Sequence, residues 1–270
     1  MLGAGLTPAT ATRAYRVLYS ALAQAVRWQM LSANPATAIR PPRSERGVLA
    51  VPTAAQVRAI LAASGDDWFH VAVTLSAFTG MRRGEVLALR WEDVDLVAGS
   101  IRVTAAIEAQ GTTLRFVAPK MSRGRRHIAL PDGLPPFLRA WKAEQASHRL
   151  LLGEGWEASD LIVERGDGRP VHPDVLSRRF QRLMGRIGML GVRLHDLRHA
   201  YATRLLEAGI HPKVAQEALG HSSAAFTLDR YSHAGPSLQS EAARAIGCSY
   251  VKPSPPRRRR PGFLPARLVS

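Results

Sequence analysis

From Thr7 the chain repeats apolar residues at three- and four-residue steps: Tyr15, Leu18, Leu22, Val26 and Met30 fall on one face of a helix. Arg13, Arg16 and Arg27 supply charge around that stripe, and Asn34-Pro35 ends it. A lone helix cannot bury its own stripe, so this segment reads as the last part of a helical domain. Residues 40–52, RPPRSERGVLAVP, carry three prolines, a glycine and several charges, which is linker composition. A new unit opens at Thr53, whose spacing to Gln56 is that of a capping box ahead of Val57, Ile60 and Leu61. A second helix of this unit is predicted from about Asp66 to Phe78, stopping at Gly80, and a third through Val86 to Leu89.

The pattern then changes. IRVTAAI, TLRFVAP and RRHIALP are short, β-branched or alternating, and are separated by glycine-containing turns. They predict one small antiparallel sheet from about residue 101 to 131. Helical periodicity returns at Leu134–Leu152, Pro173–Ile187, His195–Glu207 and Pro212–Leu219. The expected fold class is therefore mainly α with a small three-stranded antiparallel sheet (α+β), without internal repeats. After Val251 the run KPSPPRRRRPGF is expected to be disordered.

Composition sharpens this picture. The 270 residues carry a formal net charge of +16 and are 46% hydrophobic, so a sizeable core and a polyanionic partner are both expected. No apolar run is long enough to span a bilayer, which leaves nucleic acid ahead of a membrane surface. The single cysteine, Cys248, cannot form an internal disulfide, and a cytoplasmic location fits best. The start, MLGAGLTPAT, lacks a basic region followed by an apolar core, so no secretory signal is expected.

One stretch, RLHDLRHAYAT, resembles a zinc helix. His195 and His199 are four apart, Asp196 follows the first, and Glu217 could serve as a third ligand. Against zinc, aspartate replaces the usual glutamate, Arg198 adds positive charge where a cation would sit, and the strongly basic chain suits no peptidase. The alternative is a phosphodiester, whose transition state gathers negative charge that preorganised arginines stabilise. That chemistry also needs a nucleophile, a base to accept its proton and an acid for the leaving oxygen. The ends of the predicted elements offer such groups: Arg82 in TGMRRGE, His195 and Arg198 in HDLRH, His221 in ALGHSS, Tyr231 in FTLDRYSH, and Lys120 in APKMSRGRRHIAL.

Those motifs, in that order, resemble the tyrosine recombinase family, the phage-integrase type of site-specific DNA recombinase. The resemblance runs from about Thr53 to Gly247. It implies that Tyr231 attacks the scissile phosphate to form a 3′-phosphotyrosyl bond. Arg82 and Arg198 would clamp the non-bridging oxygens, and Lys120 would protonate the leaving 5′ oxygen. Its turn also offers Arg123, Arg125 and Arg126. His195 would serve as acid/base towards the tyrosine, His221 would hydrogen-bond the phosphate, Glu85 would orient its neighbours, and His199 would support the site structurally. Neither metal nor ATP nor any other cofactor is implied. Arg90, Arg123, Arg125, Arg178, Arg179, Arg182 and Arg186 are candidates for contact with the DNA backbone, or else form solvated faces.

The resemblance also implies a domain plan. Residues 1–40 would be the C-terminal part of a helical core-binding domain, 41–52 the linker, 53–247 the catalytic domain and 248–270 a basic tail. With only the end of the first domain present, tight site-selective binding is less expected than cleavage chemistry, and the Leu18 and Leu22 stripe is expected to favour aggregation or swapping. The implied partners are double-stranded DNA at an attachment site, three further copies in a tetramer on DNA, and an accessory bending or directionality factor, with no membrane. Two other readings stay open: a non-catalytic DNA-binding remnant of such an integrase, and a type IB topoisomerase.

Overall fold

Proline, glycine and side-chain caps set most element boundaries in this computed structural model, which describes residues 7–41, 51–118 and 126–220. The chain divides into two compact units, Met1–Ala50 and Val51–Ser270. In the first, helix α1 (Pro8–Arg27) begins with Thr7 as cap, accepting from the Thr10 amide, and with proline in the first turn, where no N–H is needed. A single 3₁₀ turn, Pro35–Ala38, follows. The Tyr15 hydroxyl donates to the Ala36 carbonyl at 2.9 Å and the Asn34 amide to the Tyr19 carbonyl at 3.1 Å, which fastens the turn back along the helix. Val17, Leu18, Trp28 and Met30 remain exposed.

In the second unit, α2 (Ala54–Ala63) starts at the Thr53–Gln56 capping box, both halves of which form. Helix α3 (Trp68–Thr79) is capped by Asp67 and ends at Gly80, left-handed at φ 62°. Eight of its twelve residues are buried, so it is enclosed on most sides and forms the central helix. Around it lie α4 (Arg83–Ala88), α5 (Leu134–Leu152), α6 (Pro173–Arg186), α7 (Leu194–Glu207) and α8 (Pro212–Leu219). Leu75, Leu87, Ile101, Leu138, Phe180 and Leu197 meet in one core. No helix among the described residues is long and apolar enough to cross a membrane.

The sheet region differs from the single sheet expected. Strands β1 (Val94–Asp95), β2 (Ser100–Val103) and β5 (Arg126–Ala129) form an antiparallel sheet in the order β1-β2-β5. Strands β3 (Ala106–Gln110) and β4 (Thr113–Val117) make a separate hairpin. The apolar run IRVTAAI thus splits at Thr104, whose hydroxyl donates to Asp93 at 2.9 Å, and its two halves take different partners. In β5 the side chains alternate: Arg126 and Ile128 face inward, His127 and Ala129 outward.

The hairpin lies tight against α4. A Cβ placed on Gly84 would stand 2.6 Å from the Ile107 carbonyl oxygen, a backbone atom that cannot rotate away. Gly84→Ala is therefore expected to destabilise the second unit by about 1–3 kcal/mol, the usual cost of overpacking. Urea unfolding followed by far-ultraviolet circular dichroism checks this, and an unchanged midpoint would mean that the hairpin moves freely.

Candidate active site

Two helices begin in the same uncommon way, with arginine as the cap and an acid three residues later. Arginine has no side-chain acceptor to offer the first-turn amides, so the acid reaches back instead. Glu85 accepts from the Arg82 amide at 2.8 Å at the start of α4, and Asp196 accepts from the Arg193 amide at 2.8 Å at the start of α7. Both carboxylates sit where the helix dipole favours negative charge. Each also accepts from its own cap's guanidinium: Arg82 Nη1 to Glu85 at 2.9 Å, Arg193 Nη2 to Asp196 at 3.0 Å. This settles where Asp196 is committed. The other acid of the zinc pattern, Glu217, lies on α8 with Lys213 Nζ at 3.5 Å. Among the described residues no group of three or more histidine, cysteine or acidic side chains could hold a metal ion.

The opposite end of a helix completes the arrangement. Helix α8 ends at Gly220, left-handed at φ 63°, and leaves carbonyls exposed at its C-terminus. Three consecutive carbonyls there accept from three different arginines. Arg126 Nε donates to Ala218 O at 2.7 Å, Arg198 Nη2 to Leu219 O, and Arg82 Nη2 to Gly220 O at 3.0 Å. Arg198 Nη1 also donates to the Gly80 carbonyl at 2.5 Å, so one guanidinium bridges the C-terminal ends of α3 and α8. Cations at helix C-termini are favoured by the same dipole that favours acids at the starts.

Glu85 is the hub of this cluster. Besides Arg82 it accepts a two-pronged contact from Arg126, Nη1 to Oε1 at 3.0 Å and Nη2 to Oε2 at 2.8 Å. Burial on its own raises a carboxyl pKa. Here the Arg126 hydrogen bonds and charge, then the Arg82 amide and charge, outweigh burial and bring Glu85 down to about 2. His195 packs edge-on against His199, ring centres 4.8 Å apart. Loss of hydration, followed by the positive charges of Arg198, Arg193 and Arg82, lowers its pKa below 6.5 against the pull of Asp196. Beside it a cavity of about 290 Å³ is lined by Ser76, Arg83, Ser177, Gln181, Arg193 and His195, among others.

Of the residues nominated from sequence, Arg82, Glu85, His195, Arg198 and His199 therefore come together where α4 and α7 begin and α8 ends. Arg198 and His199 are buried, whereas the Arg82 side chain is 46% exposed. Lys120, Arg123, Arg125, His221, Tyr231 and the tail lie outside the described residues. The described candidate backbone contacts lie on α6 and at Arg90. Arg178, Arg182 and Arg186 are exposed on α6. Arg179 is committed to Asp67 at 2.7 Å and stacks on the Phe69 and Trp68 rings at 4.7 and 5.1 Å. Arg90 lies over the Phe116 ring with Glu92 at 3.8 Å. Sequence reasoning missed Arg126, offering it only as a neighbour of Lys120. Its signal was alternation: in RHIAL it shares a strand face with the apolar Ile128, and an arginine there needs a buried acid.

The phage integrase family's sequence profile matches residues 51–237. The chain belongs to the phage integrase family, that of the tyrosine recombinases. It is 29% identical over 197 residues to a XerC-like tyrosine recombinase of Caldanaerobacter subterraneus, covering 67% of this chain and 49% of that protein. It is 30% identical over 175 residues to the ICEBs1 integrase of Bacillus subtilis, covering 65% of this chain and 47% of that one. The chain thus spans about half the length of these relatives. The fold is shared with the Tn1549 transposon integrase, solved in complex with a circular intermediate DNA. The TM-score is 0.74 at 23% identity, over 91% of this chain and 82% of that chain. It is shared more loosely with a lambda integrase dimer bound to a core site, TM-score 0.54 at 23% identity, over 83% of this chain and 59% of that one.

The Glu85 network makes stability depend on pH in a defined direction. A carboxyl held at about 2 in the folded chain and at 4.5 when free contributes stability that is fully present above about 4.5 and is lost as pH falls towards 2. The contribution is roughly 3 kcal/mol at neutral pH. Urea unfolding between pH 7 and pH 2 is expected to show the integrase-family unit losing this increment, and Glu85→Gln is expected to lose most of it already at pH 7. Parallel pH profiles for the two chains would overturn the assignment.

Proposed function

We propose that this chain is the strand-cleaving and rejoining part of a site-specific DNA recombinase, acting in DNA integration and recombination through a covalent 3′-phosphotyrosyl intermediate. The observation that carries this reading is that Arg82 and Arg198, from two separate family motifs, both donate to carbonyls at the end of α8, inside the ALGHSS stretch that carries His221, with His195 three residues from Arg198 on α7.

In the proposed step the Tyr231 oxygen attacks phosphorus and the bond from phosphorus to the 5′ oxygen breaks. His195 takes the tyrosine proton; its lowered pKa leaves it largely neutral at pH 7 and therefore able to accept one. Lys120 protonates the leaving 5′ oxygen. Arg82 and Arg198 donate to the non-bridging oxygens, where negative charge grows in the transition state. Because both guanidiniums are already fixed on backbone carbonyls, little reorganisation is required when the phosphate arrives. His221 adds a hydrogen bond to the phosphate. The exchanged ester conserves the energy of the broken bond, so rejoining by the reverse step needs no ATP. Arginines supply the positive charge, and no metal enters this step. Exposed Arg178, Arg182 and Arg186 suit a phosphate backbone, with Lys120, Arg123 and Arg125 contributing from their own segment.

The same reading makes residues 1–40 the end of a helical DNA-gripping domain joined through residues 41–52 to the catalytic unit. It makes the working assembly a tetramer on an attachment site in cytoplasmic DNA, aided by an accessory bending or directionality factor. Covalent trapping tests the reading. The protein is mixed with nicked duplexes tiled across the flanks of its own gene, with chelator throughout, and run on a denaturing gel. A slow, protease-sensitive DNA band that vanishes in Tyr231→Phe is expected. A band that persists in the phenylalanine variant, or that forms only when metal is restored, would overturn the mechanism. Retarded DNA on a native gel without any covalent band would favour a binding remnant.

A further inference from the structure

Arg126 has the environment of a structural fulcrum more than of a DNA contact. It is 7% exposed, and its guanidinium faces the Glu85 carboxylate with both terminal nitrogens while Nε reaches Ala218 O. The strand register places it opposite Val103 at the first position of β5, and Lys120 lies six residues earlier in the chain. Gly220 closes the other side. A Cβ there would stand 3.3 Å from Arg126 Cδ and Nη1, at a φ of 63° that side chains rarely adopt. Three elements therefore meet on one side chain: the start of α4 through Glu85, the end of α8 through Ala218, and β5, which carries Arg126 itself.

Resting on the recombinase reading, we propose that Arg126 is a positioning residue of the strand-transfer site. It holds Glu85 and the last turn of α8 in the arrangement that presents Arg82 to a phosphodiester. The fork geometry is essential to this role, since three donors in one plane serve two acceptors on different elements, and an ammonium on a flexible stem cannot reproduce them. Removing the guanidinium leaves Glu85 with the Arg82 amide and guanidinium alone, the latter on a side chain 46% exposed.

The test compares wild type, Arg126→Lys and the pair Arg126→Met with Glu85→Gln, as full chains. The DNA is whichever nicked flank duplex gives the covalent product. Arg126→Lys is expected to slow single-turnover covalent attachment about 100-fold, the cost of misplacing catalytic groups by about 1 Å. Its DNA affinity is expected to change less than about threefold, because no phosphate contact is removed. Hydrogen exchange of the Gly220 amide is expected to rise about tenfold while the Leu75 amide in the core stays protected. The double variant, with no unpaired buried carboxylate, is expected to recover thermal stability without recovering rate. A rate that returns with stability, or an Arg126→Lys rate equal to wild type, overturns the positioning role. Should wild type give no covalent product, the recombinase reading fails, and exchange still decides: an unchanged Gly220 amide in Arg126→Lys overturns the role of Arg126 by itself.

Discussion

A carboxylate withdrawn from water must find charge and hydrogen bonds or give up its ionisation, and the second unit is arranged around how Glu85 meets that demand. Glu85 is 5% exposed and accepts from the Arg82 amide, the Arg82 guanidinium and both terminal nitrogens of Arg126. These contacts fix the start of α4, since the same carboxylate is its cap. They fix the first residue of β5, since Arg126 has to point inward to reach it. One carboxylate between two guanidiniums still leaves a net positive pair, and that surplus faces the side where Arg82 is open to solvent. The demand of folding and the electrostatics suited to a phosphodiester are met by the same side chains.

How much of this could be read from the sequence depended on distance along the chain. Helices α5 and α8 begin and end where local punctuation places them, with proline in the first turn and glycine at the end. That His195 and Arg198 share one helix was legible because they stand one helical turn apart. The sheet was read less well: IRVTAAI is one apolar run by propensity, and only its separate partners, β5 for one half and β4 for the other, divide it. Arg126 was hardest to read. Its acceptors lie 41 positions before it, at Glu85, and 92 positions after it, at Ala218, and no local pattern carries such separations.

The capping of α4 and α7 shows the same limit from another side. A cap is ordinarily recognised by serine, threonine, aspartate or asparagine, whose side chains accept from the first-turn amides. Here arginine stands at both caps, and the acid three residues on accepts from the cap's own backbone amide. In each case that acid binds the cap's guanidinium as well as its amide. Arg82 and Arg193 are thereby tied to the very start of their helices and cannot sample the wide rotamer range of a surface arginine. For Asp196 this means that the carboxylate a zinc helix would use as base is occupied in starting the helix it sits on.

The helix ends explain why the cluster of arginines is tolerable. Like charges brought together repel, and buried cations lose hydration. At this site the guanidiniums replace water with carbonyls at helix termini, the groups a helix leaves unsatisfied in any case. Arg198, 3% exposed, spans Gly80 O and Leu219 O; Arg82 and Arg126 take the carbonyls on either side of Leu219. Each contact satisfies one orphan acceptor and one cation together, and each opposes the negative end of a helix dipole with positive charge. Left-handed glycines make this possible, because Gly80 and Gly220 turn the chain sharply enough to present those carbonyls side by side. A side chain at Gly80 would meet Tyr201 Cδ1 at 2.4 Å, so the approach of α3 to α7 that brings Arg198 within reach of both ends depends on the absence of a single Cβ.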